Sequence, residues 1–542
     1  MRKLLTKFLM VLFLLPVTGF SQTLEWAYRI GGSYQDQALD IVKDSLGNIY
    51  LTGGFCNSVD FNPHGLPYIV NATGTDKSDV FVAKYNKDFE LLWAFAIGSD
   101  SWEVGAVLMV DDSLNVFVIG EGYGAIDFDP TSGTHIFDCS STNSFIAKYS
   151  KDGVFVAVNT IPEIPMYPPN VNIYKDVEKN IFVYSNDTLS KFDPALQLIW
   201  KNRIAGNPEL FKAKEFYSVR NFTTPFYSSY SGPDSLILDK HEINSGNLIC
   251  SKLYAFSSGF INGGYIKKTK SDKLMISGSF WGDMSFFGNN DTITVHNADM
   301  GTSPYGTYPL QREFIAMYDT MDNVIWAKAY DGSSPEPYIM ETAADGYIYT
   351  LGFLNFDANF DPDGSQILTN GGYGNYIAKY DNNFVYKAAA QFLGGSYNDF
   401  IGELKLYDDT AVMCGHFFNT IDLDLTASNF SLSAAPPEDI FVAKYSEFDI
   451  ETNTVGVPDL QVNEAGASVF PNPSEGKFYV HLSAVKATAE IIVTDLNGAV
   501  IHNETPDKAD VCIDLSEYPA SVYFLRIVSG NAITTKKIVK IN

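Results

Sequence analysis

Basic residues are scarce in this 542-residue chain, which sets 37 Lys and Arg against 64 Asp and Glu for a formal net charge of −27. The deficit lies in residues 22–468, with 27 basic against 56 acidic side chains, whereas residues 469–542 are nearly balanced at 7 against 8. An acidic surface repels phosphate backbones, which excludes nucleic acid as a partner and favours cations or neutral polar polymers. Cysteine is sparse too: Cys56, Cys139, Cys250, Cys414 and Cys512 are odd in number, scattered and without paired short spacing, so they predict neither a disulfide framework nor a zinc site. Helical periodicity is absent. So are the common catalytic signatures: His241-Glu242 is followed by Ser245 where a zinc-protease helix needs a second His, Gly120 to Gly124 leads to Asp127 rather than into a helix, and there is no nucleophile elbow or P-loop.

One apolar run stands out, Phe8–Leu15, preceded by Arg2, Lys3 and Lys7 and followed by Pro16 and small residues up to Ser21. Residues 1–21 therefore read as a secretory signal peptide cleaved after Ser21; the run is well short of the ~20 residues a membrane span needs. No later run is long enough to cross a bilayer, and the first Cys after it is Cys56, which argues against a lipoprotein.

What the chain has in abundance is repetition. Phe81-Val82-Ala83-Lys84-Tyr85 returns in near copies at 145–149, 314–318, 376–380 and 441–445, and the intervals from Lys84 to Lys148, Met317 to Lys379 and Lys379 to Lys444 are 64, 62 and 65 residues. That period is too long for a helical solenoid and suits one small sheet per repeat. Degenerate copies around Lys191 and Lys240 bring the marks to seven. The second repeat reads as four strands: 106–110, 116–120, 145–149 and 154–158, with Asp152-Gly153 as a hairpin signal. Runs of Val, Ile, Phe and Tyr predict strands buried on both faces, as where small sheets pack face to face. The fourth strand carries Trp93, Trp200 or Trp326; Trp26 has the same setting with no strands before it, while the last repeat has three strands and no fourth. The two ends are thus predicted to complete one sheet, residues 24–30 beside 440–445, hiding the terminal edges. The expected fold is all-β: a seven-bladed β-propeller over 22–446 closed by the N-terminal strand, a linker over 447–468, and a small antiparallel β-sandwich over 469–542.

The Gly47–Gly53 segment, Asp127-Phe128-Asp129-Pro130 and the five Ala-Lys-Tyr copies make residues 24–446 resemble the secreted bacterial β-propeller repeat family, which implies a fold and no common activity. Residues 469–542 resemble the C-terminal sorting domain of the type IX secretion system through Pro471–Gly476, Asp495–Gly498, Asp514–Ser516 and Lys536–Val539, departing from the pattern at Ser521. This second resemblance implies the type IX secretion machinery as a partner, and location outside a Gram-negative cell, either secreted or held on the outer surface.

Candidate chemistry falls on acidic alternations between second and third strands, at Asp60, Asp127 and Asp129, Asp361, and Asp422 and Asp424. Asn359, Asp361 and Asp363 mimic the first ligands of a calcium loop, although its twelfth position is Asn370 and Pro362 stiffens the turn; the plainer reading is a turn. In a four-stranded antiparallel blade these loops share a face with those joining successive repeats, so Asp36, Asp100, Asp127, Asp129 and Asp399 form a candidate ligand-binding face. The recurrent Lys is read as structural, its stem packed between blades with the amine reaching an Asp or solvent. The chain reads as a binding or structural surface protein for a glycan or protein ligand, with no catalytic residue assigned. The alternatives are a polysaccharide lyase or hydrolase, which a deep central pocket with clustered carboxylates and a His or Tyr would favour, and a calcium-stabilised adhesin.

Overall fold

The computed structural model describes residues 23–541 apart from 163–170, 223–234, 331–338, 369–373, 393–398, 447–466, 483–488, 496–499 and several shorter breaks. The signal-peptide reading, nearly all of the linker, and Asn370 lie outside the described residues. Every regular element among those residues is a β-strand, and the chain divides into two compact units, Met1–Thr452 and Asn453–Asn542.

Among the described residues the first unit contains seven antiparallel sheets of four core strands each. The first is built from Asp36–Lys43, Ile49–Cys56, Ser78–Tyr85 and Leu91–Ile97, and the second from Val104–Val110, Val116–Glu121, Ser144–Tyr149 and Phe155–Thr160. The strands of the second sheet fall within two residues of the bounds read from the sequence. The degenerate marks at Lys191 and Lys240 lie on third strands, Thr188–Phe192 and Ser235–Glu242. The seventh sheet takes three strands from Phe400–Ser446 and its fourth from the other end of the unit: Thr23–Ile30 pairs antiparallel with Asp439–Ser446, with Tyr28 opposite Val442 and Trp26 opposite Lys444.

Packing explains why these small sheets hold. Second and third strands are sealed on both faces, Ile49–Cys56 being buried throughout. Each pair of consecutive sheets encloses its own apolar core; Phe95, Val82 and Tyr149, for example, pack between the first and second. The seventh sheet packs on the first in the same way, through Val412, Ile440 and Val442 against Ile41, Leu51 and Phe81. Burial of this kind contributes about 25 cal/mol per Å² of apolar surface.

The recurrent motifs are one device. Tyr85 Oη donates to Phe61 O at 2.9 Å, Tyr149 Oη to Phe128 O at 3.0 Å and Tyr445 Oη to Leu423 O at 2.9 Å, so the Tyr of Ala-Lys-Tyr anchors the acidic segment of its own sheet. That segment is not a bare loop, as the sequence suggested, but a two-stranded hairpin, such as Ser58–Asp60 with Ile69–Asn71. The alternating Val59 and Phe61, both buried, give it an inner face. The Lys meets two kinds of partner: in two copies its amine reaches a backbone carbonyl in the next sheet, Lys84 to Lys151 O at 3.0 Å and Lys148 to Pro194 O at 2.7 Å, whereas Lys191 lies 3.4 Å from Asp176 Oδ2, as expected, and Lys444 2.6 Å from Glu25 Oε2. The Trp also reaches a carbonyl in the next sheet, Trp93 Nε1 donating to Lys151 O at 3.2 Å. Gly153 accepts φ 78° in the predicted turn, a position that Phe89 takes at φ 63° with its ring stacked 4.1 Å from Tyr85.

The second unit has two sheets around one core. Ala467–Phe470, Lys477–Leu482 and Asp510–Asp514 form the first sheet, and Val500–Glu504, Ala489–Thr494, Ser521–Ser529 and Ala532–Lys540 the second; Phe478, Val480, Ile491, Leu525 and Ile538 are buried between them.

Candidate functional site: a central cavity

The innermost strands of the seven sheets are Asp36–Lys43, Val104–Val110, Asn172–Lys175, Asn207–Lys212, Phe260–Lys268, Ile339–Thr342 and Phe400–Tyr407, and residues from every one of them line a single cavity of about 500 Å³. That volume lies within the ~300–1,000 Å³ of small-molecule sites. Phe400–Tyr407 differs from the second and third strands in alternating: Ile401, Leu404 and Leu406 are buried while Glu403, Lys405 and Tyr407 face the cavity.

The lining is two-sided. The second and third sheets give uncharged residues, among them Val107, Met109, Val171, Ile173 and Tyr174. The first and the fifth to seventh carry an ion network. Lys267 Nζ lies 2.9 Å from Glu341 Oε1, and Lys405 Nζ lies 2.9 Å from Glu403 Oε2 and 3.7 Å from Glu341 Oε1. Burial opposes the charge on Lys405, yet Glu403, Glu341 and Asp40 together hold its pKa well above the ordinary lysine value. For Glu341 burial is likewise outweighed, by Lys267 and Lys405, and its pKa is held below the usual carboxylate value.

Two further carboxyls behave differently. Burial pushes Asp40 up to about 7, although its Oδ2 accepts the Leu108 N–H at 2.6 Å and its Oδ1 the Ile41 N–H at 2.8 Å. Burial also pushes Glu209 up to about 7, against the pull of Lys267 and the Lys268 backbone N–H. Tyr407 accepts the Lys43 N–H at 2.7 Å, and the Lys43 ammonium lies 4.4 Å from its ring centroid.

None of the acidic residues singled out from the sequence lines this cavity. Asp36 is wholly buried; its carboxylate accepts the Gly32 N–H at 2.7 Å and the Cys56 N–H at 3.2 Å, and burial pushes its pKa up to about 7. Asp399 is buried and accepts the Phe418 N–H at 2.7 Å. Both bear on Glu438, which burial pushes up to about 7 and which accepts a 2.8 Å bond from Gln37 Nε2. Asp100 is exposed. Asp127 and Asp129 line a separate, open cleft of about 400 Å³ with Tyr68, Thr73 and Pro130, but Asp127 Oδ1 already accepts the Asp129 and His135 N–H groups at 3.1 and 2.7 Å. Asp60 and Asp422 close their hairpins in the same manner.

At the calcium-like loop, Asn359 Oδ1 accepts the Asp361 N–H at 3.0 Å, Asp361 Oδ1 accepts the Asp363 N–H at 3.1 Å, and Asp363 pairs with Lys328 at 2.5 Å. Among the described residues no group of three or more His, Cys, Asp or Glu is placed to hold a metal ion. All five cysteines are free, with Cys56, Cys139 and Cys414 buried. No helix among the described residues is long and apolar enough to cross a membrane.

In the second unit the separate sequence motifs meet. Asn472, between the two prolines, accepts the Val539 N–H at 2.8 Å and donates to Lys537 O at 2.7 Å, tying Pro-Asn-Pro to the terminal Lys-Lys-Ile-Val. Leu515 N–H donates to Gly476 O at 2.7 Å, joining the Asp-Leu-Ser motif to the same corner. Within the Asp495–Gly498 motif, residues 496–498 lie outside the described residues.

Comparison with known proteins agrees with that corner. Residues 468–542 match the family described as secretion system C-terminal sorting domain. The second unit is thus the sorting domain of the type IX secretion system, and the chain is exported to the cell surface or beyond it. No curated protein matches the chain. Among solved structures it is distantly similar to the polysaccharide lyase Uly1, at 9% identity over 78% of this chain and 99% of that one with a TM-score of 0.39. It is similar also to PorZ, a surface component of the type IX secretion system of Porphyromonas gingivalis, at 8% identity over 95% and 100% with a TM-score of 0.18. A protein of unknown function from Bacteroides caccae is similar at 10% identity over 55% and 93% with a TM-score of 0.25.

Proposed function

We propose that residues 22–446 form a seven-bladed β-propeller closed by Thr23–Ile30, delivered outside the cell by the sorting domain, which captures a ligand in its central channel. The reading rests on one observation: a single cavity is lined by the innermost strand of every one of the seven sheets. The packing of the seventh sheet on the first, and the N-terminal strand beside Asp439–Ser446, support closure. A rigid scaffold with a preformed pocket suits binding, since little ordering cost remains when the ligand arrives.

The test is a glycan and protein array probed with the mature chain, residues 22–542. Saturable binding of a defined class supports the reading; no binding to any element by a folded sample contradicts it.

A second reading, a hydrolase or lyase acting on a polysaccharide, is favoured by Asp40 and Glu209, two carboxyls pushed up to about 7 in one cavity with Tyr174 and Tyr407. It ranks second because both Asp40 oxygens already accept backbone N–H groups. Release of reducing ends or of unsaturated uronates from array-positive glycans would put it first.

A further inference from the structure

We propose that the central cavity takes a neutral polyhydroxylated ligand, one or two linked uncharged sugar rings, with the ring face on the uncharged wall and the hydroxyl edge on the ion network. The inference rests on the closed-channel reading above and narrows its ligand.

The network balances itself. Lys267 and Lys405 are matched by Glu341 and Glu403 across 2.9 Å contacts, and Lys43 is occupied by Thr410 Oγ1 at 3.1 Å and the Tyr407 ring. A ligand carboxylate or ammonium that displaced a member of either Lys–Glu pair would leave the partner charge uncompensated, which is costly. Hydroxyl groups impose no such exchange. An ammonium offers three donors and a carboxylate about four acceptor sites, so a Lys–Glu pair that satisfies itself once still has donors and acceptors to spare. Each sugar hydroxyl donates and accepts, which matches a wall that presents both.

The opposite wall fits the rest of such a ligand. Val107, Met109, Val171 and Ile173 present aliphatic surface, while the Tyr174 hydroxyl is engaged with Pro208 O at 2.6 Å. A purely apolar ligand would leave the network facing hydrocarbon, and a highly polar ion would leave the aliphatic wall unused. A pyranose carries C–H faces and a hydroxyl rim, and the volume of about 500 Å³ leaves room for one or two rings.

The test uses the mature chain and calorimetric titration with maltose, cellobiose and lactose, beside a glucuronate-bearing disaccharide and a glucosamine disaccharide. Two variants report on location: Met109→Trp fills the cavity from the uncharged wall, and Glu209→Gln removes an ionisable group that holds no ion pair in the network. Unfolding temperatures establish that each variant is folded. The expected result is saturable binding of at least one neutral disaccharide, weakened tenfold or more by Met109→Trp and severalfold by Glu209→Gln, with the charged sugars binding no more tightly. Three results would overturn the proposal: no neutral sugar binding to folded wild type, tenfold tighter binding of a charged analogue, or neutral-sugar affinity unchanged in both variants. Should the array reveal a protein or charged ligand while these titrations fail, the channel-binding reading survives and this narrower one falls; failure of both experiments removes both.

Discussion

Tyr85 Oη donates to the carbonyl of Phe61 across 2.9 Å, although the two residues are 24 positions apart, and both side chains are fully buried. The same bond recurs from Tyr149 to Phe128 and from Tyr445 to Leu423, so the most repeated tripeptide of the chain and its most repeated acidic segment are two halves of a single tie. Tyr85→Phe keeps the ring and removes the donor, leaving Phe61 O unpaired in the core. The expected cost is about 1–2 kcal/mol, seen as a lower unfolding temperature. An unchanged temperature would mean that the hairpin does not depend on the bond.

Acid should stabilise this protein down to about pH 5. Asp36, Asp40, Glu209 and Glu438 are all pushed up to about 7, chiefly by burial, whereas an unfolded chain ionises its carboxyls near 4. Between those values the folded state holds more protons, so stability is greatest below the unfolded pKa and is lost as pH rises through about 7. Glu341 works the other way, contributing stability that disappears as pH falls through its depressed pKa. Melting curves from pH 5 to pH 8 should therefore shift downward by several degrees, with a shallower slope in Asp40→Asn and Glu209→Gln. A flat or rising profile would contradict the burial of these groups.

Asn472 holds the last strand of the sorting domain through Lys537 O and Val539 N–H. Asn472→Ala removes both bonds at an exposed corner and should cost that unit about 1–2 kcal/mol. Export should drop in parallel, measured as the ratio of chain in the medium or on the surface to chain retained in the periplasm; Asn472→Asp, which keeps only the acceptor, should fall between. Wild-type export by the Ala variant would separate the corner from sorting.

The calcium-like loop yields a simple expectation. One oxygen each of Asn359 and Asp361 is spent on the backbone, and Asp363 on Lys328. Chelator should leave the unfolding temperature unchanged. A fall reversed by added calcium would support the cation reading.

Much of this architecture was legible because burial on both faces gives second and third strands continuous apolar runs that survive repeat decay, as at Ile49–Cys56. The pairing of the first strand with the last repeat was readable from Trp26, which has no strands before it, and from the last repeat, which has three strands and no fourth. The central cavity was not. Its residues lie on seven first strands far apart in sequence, and the pattern that marks them is a local one, such as Glu403 and Lys405 alternating with buried Leu404 and Leu406. Acidic residues drew attention to the hairpins and inter-sheet loops instead, where Asp60, Asp127 and Asp422 serve backbone N–H groups. Repeated carboxylates mark repeated turns here, while of the cavity carboxyls Asp40 and Glu403 each follow by four residues the Asp of a Gly-Gly-Ser-Tyr-x-Asp segment, a setting that Glu209 and Glu341 lack.

Closure of the ring is open to direct measurement, because Lys444 Nζ lies 2.6 Å from Glu25 Oε2 across the junction of the first and last strands of the array. A carbodiimide applied to the mature, monomeric chain should convert this pair to an amide with loss of water, and mass spectrometry of the digest should find a peptide containing residue 25 joined to one containing residue 444. Lys175 and Asp112, 2.7 Å apart between neighbouring sheets, serve as the internal control. Linkage of 175 to 112 without any linkage of 444 to 25 would contradict the closed array and, with it, the shared channel.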